Sequence, residues 1–256
     1  VRTLYRLSQP LAYRVFCQNI EDHALLLQHH LVPADKLVLL PGSGVDLQRF
    51  HPSLQQARAP GQPLRLLYAG RMLGDKGLHE LMAAITSLNA QGLRCTLTLC
   101  GFAGARNVSA IDEATLQAWG QRPGVVWAGP SDDMPSVYAR ADVVVLPSYR
   151  EGMPRSLLEA GAMGLPSITT DVAGCRHIIE HGKNGLLCEV KDAQSLQTAI
   201  EQMLAMSEAE RATLGANARR IVEEQFDERL VVQAALDAVR EIERHKHPKQ
   251  PSAHDQ

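Results

Sequence analysis

From residue 64 onward, six short apolar runs alternate with stretches of helical periodicity, and that alternation leaves few architectures open. The runs over 64–69, 96–100, 125–128, 143–146, 167–170 and 185–190 read as strands. Several are apolar on both faces, as strands buried in a parallel sheet must be. Helices are expected between and after them, near 77–91, 111–120, 133–140, 154–163, 174–181 and 192–205. The fold class is therefore α/β, a Rossmann-like parallel sheet flanked by helices, and chemistry is to be sought in the loops after the carboxyl ends of the strands.

The flanking segments read differently. Beyond residue 207 the strand signal stops, and SEAERATLGANARRIVEEQF and DERLVVQAALDAVREIERHK read as two helices, each opening with a polar capping residue. The tail from 245 has no large apolar anchor and is expected to be disordered. In the first 60 residues, VFCQNIEDHALLLQHH reads as a strand end and a helix, KLVLLPGSGVD as a strand entering a glycine-rich turn, and HPSLQQARAPGQP as a linker. This part reads as a remnant. The chain opens at Val1, which predicts that an N-terminal portion of a longer protein precedes it. No internal repeat of 20 to 50 residues is visible.

Composition removes several function classes. At 256 residues and 45% hydrophobic content the chain can bury a substantial core, while a net charge of -2 gives no global basic surface for nucleic acid. No apolar run approaches the roughly 20 residues that span a bilayer, and no secretory layout opens the chain. The expected location is cytoplasmic. Five cysteines without a C-x-x-C argue against a disulfide framework or a zinc site.

Two constellations carry chemistry. In AGRMLGDKGLHEL a strand ends at Ala69, glycines follow at 70, 74 and 77, and Arg71 and Lys76 flank the bend. Glycines admit an anion close to the backbone, a helix starting near Gly77 offers free N–H groups, and two cations can neutralise a diphosphate. A surface loop with two solvated cations fits the same letters, and neither the G-x-G-x-x-G nor the Walker spacing is met. In VVVLPSYREGMPRSLLEAGAMGLPSITTD a buried strand enters a polar loop, and a helix is expected from Pro154, a residue suited to the first helical position. Glu151 lies before that helix and Glu159 on it, roughly 12 Å away along a fully helical path. Such carboxylates could grip two separated hydroxyls of one extended ligand. Plain surface charges are the alternative, but Leu157, Leu158, Ala160, Ala162 and Met163 leave little of this helix for solvent, and a carboxylate there needs a partner.

These segments resemble the family 4 retaining glycosyltransferases. Glu151 and Glu159 match the E-x7-E motif, flanked by Pro147 and Ser148, by LEA at 158–160 and by GLPSITTDVAG at 164–174. The AGR…KG turn, the ADVVVLPS strand and HGKNGLLCEV fall in the family's order, over about 36–225. The resemblance implies the C-terminal half of a GT-B fold: 1–60 as a remnant of the N-terminal acceptor domain and a linker, 61–227 as the nucleotide-sugar domain, 228–244 as a crossing helix, and 245–256 as the tail. Carried over residue by residue, the donor-binding set is Gly70, Arg71, Lys76, Glu151, Gly152, Met153, Pro154, Arg155 and Glu159. Arg71 and Lys76 would contact the diphosphate, Glu159 the ribose hydroxyls, and Glu151 the donor sugar beside the N–H groups of 152–155. The loop 129–133 would lie near the base.

Catalysis is implied at Arg71, Lys76 and Glu151. Charge builds on the leaving diphosphate, so each cation is worth on the order of a few kcal/mol there. The SYREGMPRSLLEAGAMGLPSITTDVAGCRH and PGSGVD variants resemble bacterial enzymes that build surface polysaccharides on lipid carriers from UDP-sugars. The implied partners are a nucleotide-sugar donor, which is a substrate and no cofactor, and a glycan or lipid-linked acceptor. Nucleic acid is not among them. Peripheral contact with the inner face of the plasma membrane would pass through the N-terminal domain, which also supplies the family's acceptor-side residues, and so stays open. A hexosyltransferase is the leading reading, with a non-catalytic nucleotide-sugar-binding module or partner subunit as the alternative. An epimerase or phosphorylase of the same fold agrees less well with E-x7-E.

Other features read as ordinary. His177 and His181 stand at i, i+4, but HIIEH is not H-E-x-x-H and no third ligand is evident, so no metal is expected. Ser156 follows no nucleophile elbow. Trp119 and Trp127 lie away from any basic cluster.

Overall fold

The computed structural model describes residues 2–40, 42–59, 61–92, 95–104 and 106–246; the expected tail lies, from 247, outside them. The first segment forms helix α1 (Arg2–Ser8), strand β1 (Val15–Cys17), helix α2 (Ile20–Gln28) and strand β2 (Leu37–Leu39). β1 and β2 pair in parallel as a separate two-stranded sheet over a small core of Cys17, Leu31, Val32 and Leu37. The strand and helix expected there are present. α1, for which no element is expected, buries no residue, and its Leu4, Tyr5 and Leu7 stay exposed.

The main sheet holds β3 (Leu64–Ala69), β4 (Cys95–Cys100), β5 (Val125–Gly129), β6 (Val143–Leu146), β7 (Ser167–Thr170) and β8 (Gly185–Cys188). All pairs are parallel and the order is β5-β4-β3-β6-β7-β8. From β3 the chain winds outward one way through β4 and β5, then returns to β6 and winds the other way. At the carboxyl ends of β3 and β6 the connections diverge, which opens a crevice at the switch point. The middle strands are apolar because both faces are covered: Leu66, Leu97, Val144 and Ile168 are at most 1% exposed. Arg65 is tolerated on β3 because Asp142 takes its guanidinium at 2.8 Å.

Helices α3 (Leu78–Ala90), α4 (Glu113–Gly120), α5 (Met134–Ala139), α6 (Arg155–Ala162), α7 (Ala173–Arg176), α8 (Ala193–Ala205), α9 (Glu208–Gln225) and α10 (Glu228–Lys246) complete the chain. Two expectations need correction here. The helix expected over 174–181 stops at Arg176, because buried Asn184 takes the Glu180 amide at 2.7 Å and donates to the Ile178 carbonyl at 2.7 Å, claiming bonds a continuing helix would use. The strand expected to 190 ends at Cys188, since the Glu189 amide turns to Ser195 Oγ at 2.9 Å.

The stretch 51–63 is also more than a bare connection. Gln55 Nε2 donates to the Met163 carbonyl at 2.5 Å, the Gln56 amide to Ala139 at 2.8 Å, and Arg58 pairs with Asp142 at 3.2 Å. α9 opens with a reciprocal Ser207–Glu210 capping box and lies on α6. α10 leaves Val232, Leu236 and Val239 about half exposed at the i, i+4, i+7 spacing of one face.

Candidate functional site

The loops after β3 and β6 are stitched together before any side chain enters the crevice. Gly77 adopts a left-handed φ of 72°, and a Cβ there would stand 2.0 Å from the Pro147 carbonyl oxygen, so only glycine allows this approach. The Tyr149 amide donates to the Asp75 carbonyl at 2.9 Å. Buried Tyr68, at the end of β3, donates its hydroxyl to the Arg71 carbonyl at 2.7 Å and fixes the turn that carries Arg71. Burial pushes the Tyr68 pKa well up, so it remains a donor.

Across this seam Lys76 Nζ meets Glu151 Oε1 at 2.5 Å, with the two side chains 17% and 12% exposed. Ser148 Oγ donates to the same carboxylate oxygen at 2.7 Å. The β6 loop is held from the β7 side as well: Thr169 Oγ1 donates to Leu146 O at 2.7 Å, and Thr170 Oγ1 donates to Ser148 O.

Glu159 sits on α6 with a side chain only 12% exposed. Tyr138, fully buried on α5, donates its hydroxyl to Glu159 Oε2 at 2.9 Å and packs edge-on against Phe50. Burial pushes the Glu159 pKa up, while the Tyr138 hydrogen bond and the charges of Arg155 and Arg49 pull it back. The partner that a carboxylate on a buried helix requires is thus a tyrosine. It was not legible, since Tyr138 reads in sequence as one more apolar residue of a short helix.

Arg71, Lys76, Glu151 and Glu159 line one cleft of about 780 Å³, together with Gly70, Met153, Pro154 and Arg155. Gly152, the remaining predicted residue, is exposed and is not among the residues that line the cleft. Pro130, Ser131 and Asp132 of the expected 129–133 loop form part of the rim. Arg49, Phe50 and Phe102 were not anticipated. Arg49 Nη2 donates to the Asp132 carbonyl at 3.3 Å, and only its place before a buried Phe could have hinted at it.

Two local expectations change. Pro154 is the N-cap of α6, with ψ at 117°, and the helix starts at Arg155, since an extended residue is what a proline-led entry from the loop provides. The described residues lining the cleft include none of α3, because the left-handed Gly77 turns that helix away beneath Pro147. The helix N terminus that opens on the cleft is instead that of α6, through Arg155 and Ser156.

Elsewhere, His177 pairs with Glu21, and His181 Nδ1 accepts from the Leu187 amide at 3.0 Å, so the two histidines share no helix. Among the described residues no group of three or more His, Cys, Asp or Glu is placed to hold a metal. No described helix is long and apolar enough to cross a membrane. All five cysteines are buried and free.

A parallel sheet with a deep polar-lipped cleft at its switch point, closed by a loop bearing Glu151 and a helix bearing Glu159, has a recognisable kind. The chain belongs to the family described as glycosyl transferases group 1, whose sequence profile matches residues 52–221. It is 32% identical over 164 residues to the capsular polysaccharide biosynthesis glycosyltransferase CapM of Staphylococcus aureus, covering 64% of this chain and 42% of that protein. It is 31% identical over 231 residues to the amylovoran biosynthesis glycosyltransferase AmsK of Erwinia amylovora, covering 85% and 55%. The chain spans about half the length of these curated relatives.

Among solved structures it is similar to a sucrose-phosphate synthase from Thermosynechococcus elongatus, with a TM-score of 0.81, 26% identity, and coverage of 94% of this chain and 61% of that one. It also shares the fold of HepE from Anabaena, solved with UDP-glucose, at a TM-score of 0.79, 20% identity, and coverage of 94% and 68%. These neighbours are glycosyltransferases of the GT-B fold.

Proposed function

We propose that this chain holds the nucleotide-sugar donor, a UDP-sugar, of a retaining hexosyltransferase that acts on a glycan or lipid-linked acceptor in bacterial surface polysaccharide synthesis. The observation that carries this reading is the convergence, in one cleft, of the Lys76–Glu151 pair, Arg71, the tyrosine-held Glu159 and the free N terminus of α6. Cations and helix N–H groups suit a diphosphate, and partly buried carboxylates suit hydroxyls. Glu159 takes the ribose hydroxyls, Arg71 and Lys76 the diphosphate, and Glu151 the sugar. The capsular and amylovoran biosynthesis roles of CapM and AmsK support the polysaccharide assignment, and the UDP-glucose in HepE supports the choice of nucleotide.

In the reaction the bond from the sugar's anomeric carbon to the diphosphate oxygen breaks, and its electron pair stays on the diphosphate. The acceptor hydroxyl attacks from the same face, and its proton passes to a diphosphate oxygen. Arg71 and Lys76 stabilise the charge that develops there; one well-placed donor of this kind is worth about 3 kcal/mol. Residues 1–60 belong to an acceptor-side domain, and the free buried thiols support a cytoplasmic setting.

The test is transfer from UDP-sugars to a lipid-linked glycan acceptor, with the anomeric configuration of the product read by NMR. Transfer with retention is the expected result. An inverted product contradicts the mechanism, and donor binding without transfer identifies a binding module.

A further inference from the structure

The wall residues of the cleft come from Arg49 onward, yet the loop that carries Glu151 is held by a side chain from the first segment. Asn19 is 3% exposed, and its amide Nδ2 donates to the Gly152 carbonyl at 2.9 Å. The same side chain caps α2, where Oδ1 accepts from the Asp22 amide at 2.7 Å and Nδ2 also reaches Asp22 Oδ2 at 2.9 Å. Both N–H donors and the oxygen of one buried amide are thus engaged, at a helix start and at the loop that carries Glu151.

The opposite side of that peptide is equally confined. A Cβ on Gly174, in α7, would stand 2.4 Å from the Gly152 carbonyl oxygen and 2.7 Å from that of Glu151. The peptide is pinned between α2 and α7, and these two helices are themselves tied by Glu21, which pairs with His177 and lies 3.6 Å from Arg176. Glu151, Met153 and Pro154, on either side of the pinned carbonyl, face the cleft.

We propose that Asn19 is a positioning residue for the sugar-side loop, so that the first segment of the chain sets the geometry around Glu151. The inference rests on the reading of this loop as the wall facing the donor sugar. Asn19→Asp separates its two roles: an aspartate still caps α2, but it has no N–H for Gly152 and places a carboxylate against a carbonyl.

Calorimetric affinities for UDP, and for whichever of UDP-glucose, UDP-galactose and UDP-N-acetylglucosamine binds the wild-type chain most tightly, provide the test. Asn19→Asp is expected to weaken the UDP-sugar about tenfold and to leave UDP binding unchanged, with a lower unfolding midpoint because the new carboxylate faces both the Gly152 carbonyl and Asp22. Should Asn19→Asp fail to unfold cooperatively, Asn19→Ser, which keeps a capping oxygen and drops the amide donor, carries the same prediction for both ligands. Equal losses for UDP and UDP-sugar, or no loss for either, overturn the positioning role. A wild-type chain that binds none of these ligands overturns the donor reading, and this inference with it.

Discussion

Glu151 and Lys76 pair with each other in the cleft, so a ligand that needs either must compete with their pairing. On the proposed donor reading, UDP alone would gain Lys76 and leave Glu151 with Ser148 only. Replacing Glu151 by Gln removes that competition and a nearby negative charge. Glu151→Gln is therefore expected to bind UDP roughly fivefold more tightly than wild type, a gain of about 1 kcal/mol, while gaining less or losing affinity for UDP-sugars. Unchanged UDP affinity by calorimetry would show that the pair does not oppose binding.

Glu159 gives a stability prediction. Burial raises its pKa above the ordinary value of 4.5, so the folded state holds the proton more tightly than the unfolded chain, and stability falls as pH rises from the unfolded pKa through the folded one. Glu159→Gln, which can still accept from Tyr138, removes that cost. Its unfolding midpoint at pH 7 should rise by about 2–4 °C, on the order of 1 kcal/mol, with no gain near pH 4, while donor affinity falls. Thermal scans at the two pH values check the sign. Arg71, Lys76, Glu151, Arg155 and Glu159 are legible in the sequence because charge is rare in such apolar, glycine-rich surroundings, whereas Arg49 lies outside those motifs. Tyr138 and Asn19 are not, because nothing in their neighbours distinguishes a tyrosine reaching a carboxylate, or a cap reaching a distant carbonyl, from ordinary helix residues.

At the scale of elements, the position of Glu159 depends on how α6 lies against α9. Gly215 of α9 passes so close to the end of α6 that a Cβ would stand 2.0 Å from the Gly164 carbonyl oxygen. Gly215→Ala gains roughly 1 kcal/mol of helix propensity. The overlap is with backbone, which cannot swing aside, so overpacking of about 2–3 kcal/mol outweighs that gain. The variant should be less stable by about 1–2 kcal/mol in urea unfolding; a more stable variant would mean that α9 slides freely.

The strands were legible almost to the residue because β3, β6 and β7 lie between layers and admit few side chains other than apolar or small ones. Helix ends were less so. α7 is cut short by Asn184, a residue beyond the segment it interrupts, and α6 starts one residue late because Pro154 caps it in place of opening it. Both outcomes depend on tertiary contacts that a local pattern does not contain.

For the whole molecule, the alternation of strands and helices predicts a parallel sheet with its chemistry in the loops after the carboxyl ends of the strands, while the strand order, which no local pattern contains, puts the switch point between β3 and β6. The chain also ties its first and last parts together: the Val45 amide donates to Phe226 O at 2.9 Å, the Glu228 amide to Val45 O at 3.1 Å, and Arg14 pairs with Glu241. The cleft itself is lined by residues from Arg49 to Glu159, and the half-exposed apolar face of α10 lies outside it.

The proposed function requires this cleft to receive a nucleoside diphosphate through Arg71 and Lys76. Calorimetric titration of the chain with UDP and with uridine, repeated on Arg71→Ala/Lys76→Ala, tests it most directly. UDP should bind one site about 100-fold more tightly than uridine, through charge-assisted contacts worth roughly 3 kcal/mol together, and the double variant should bring UDP down toward the uridine level. UDP and uridine binding alike, or a double variant that binds UDP as well as wild type, would contradict it.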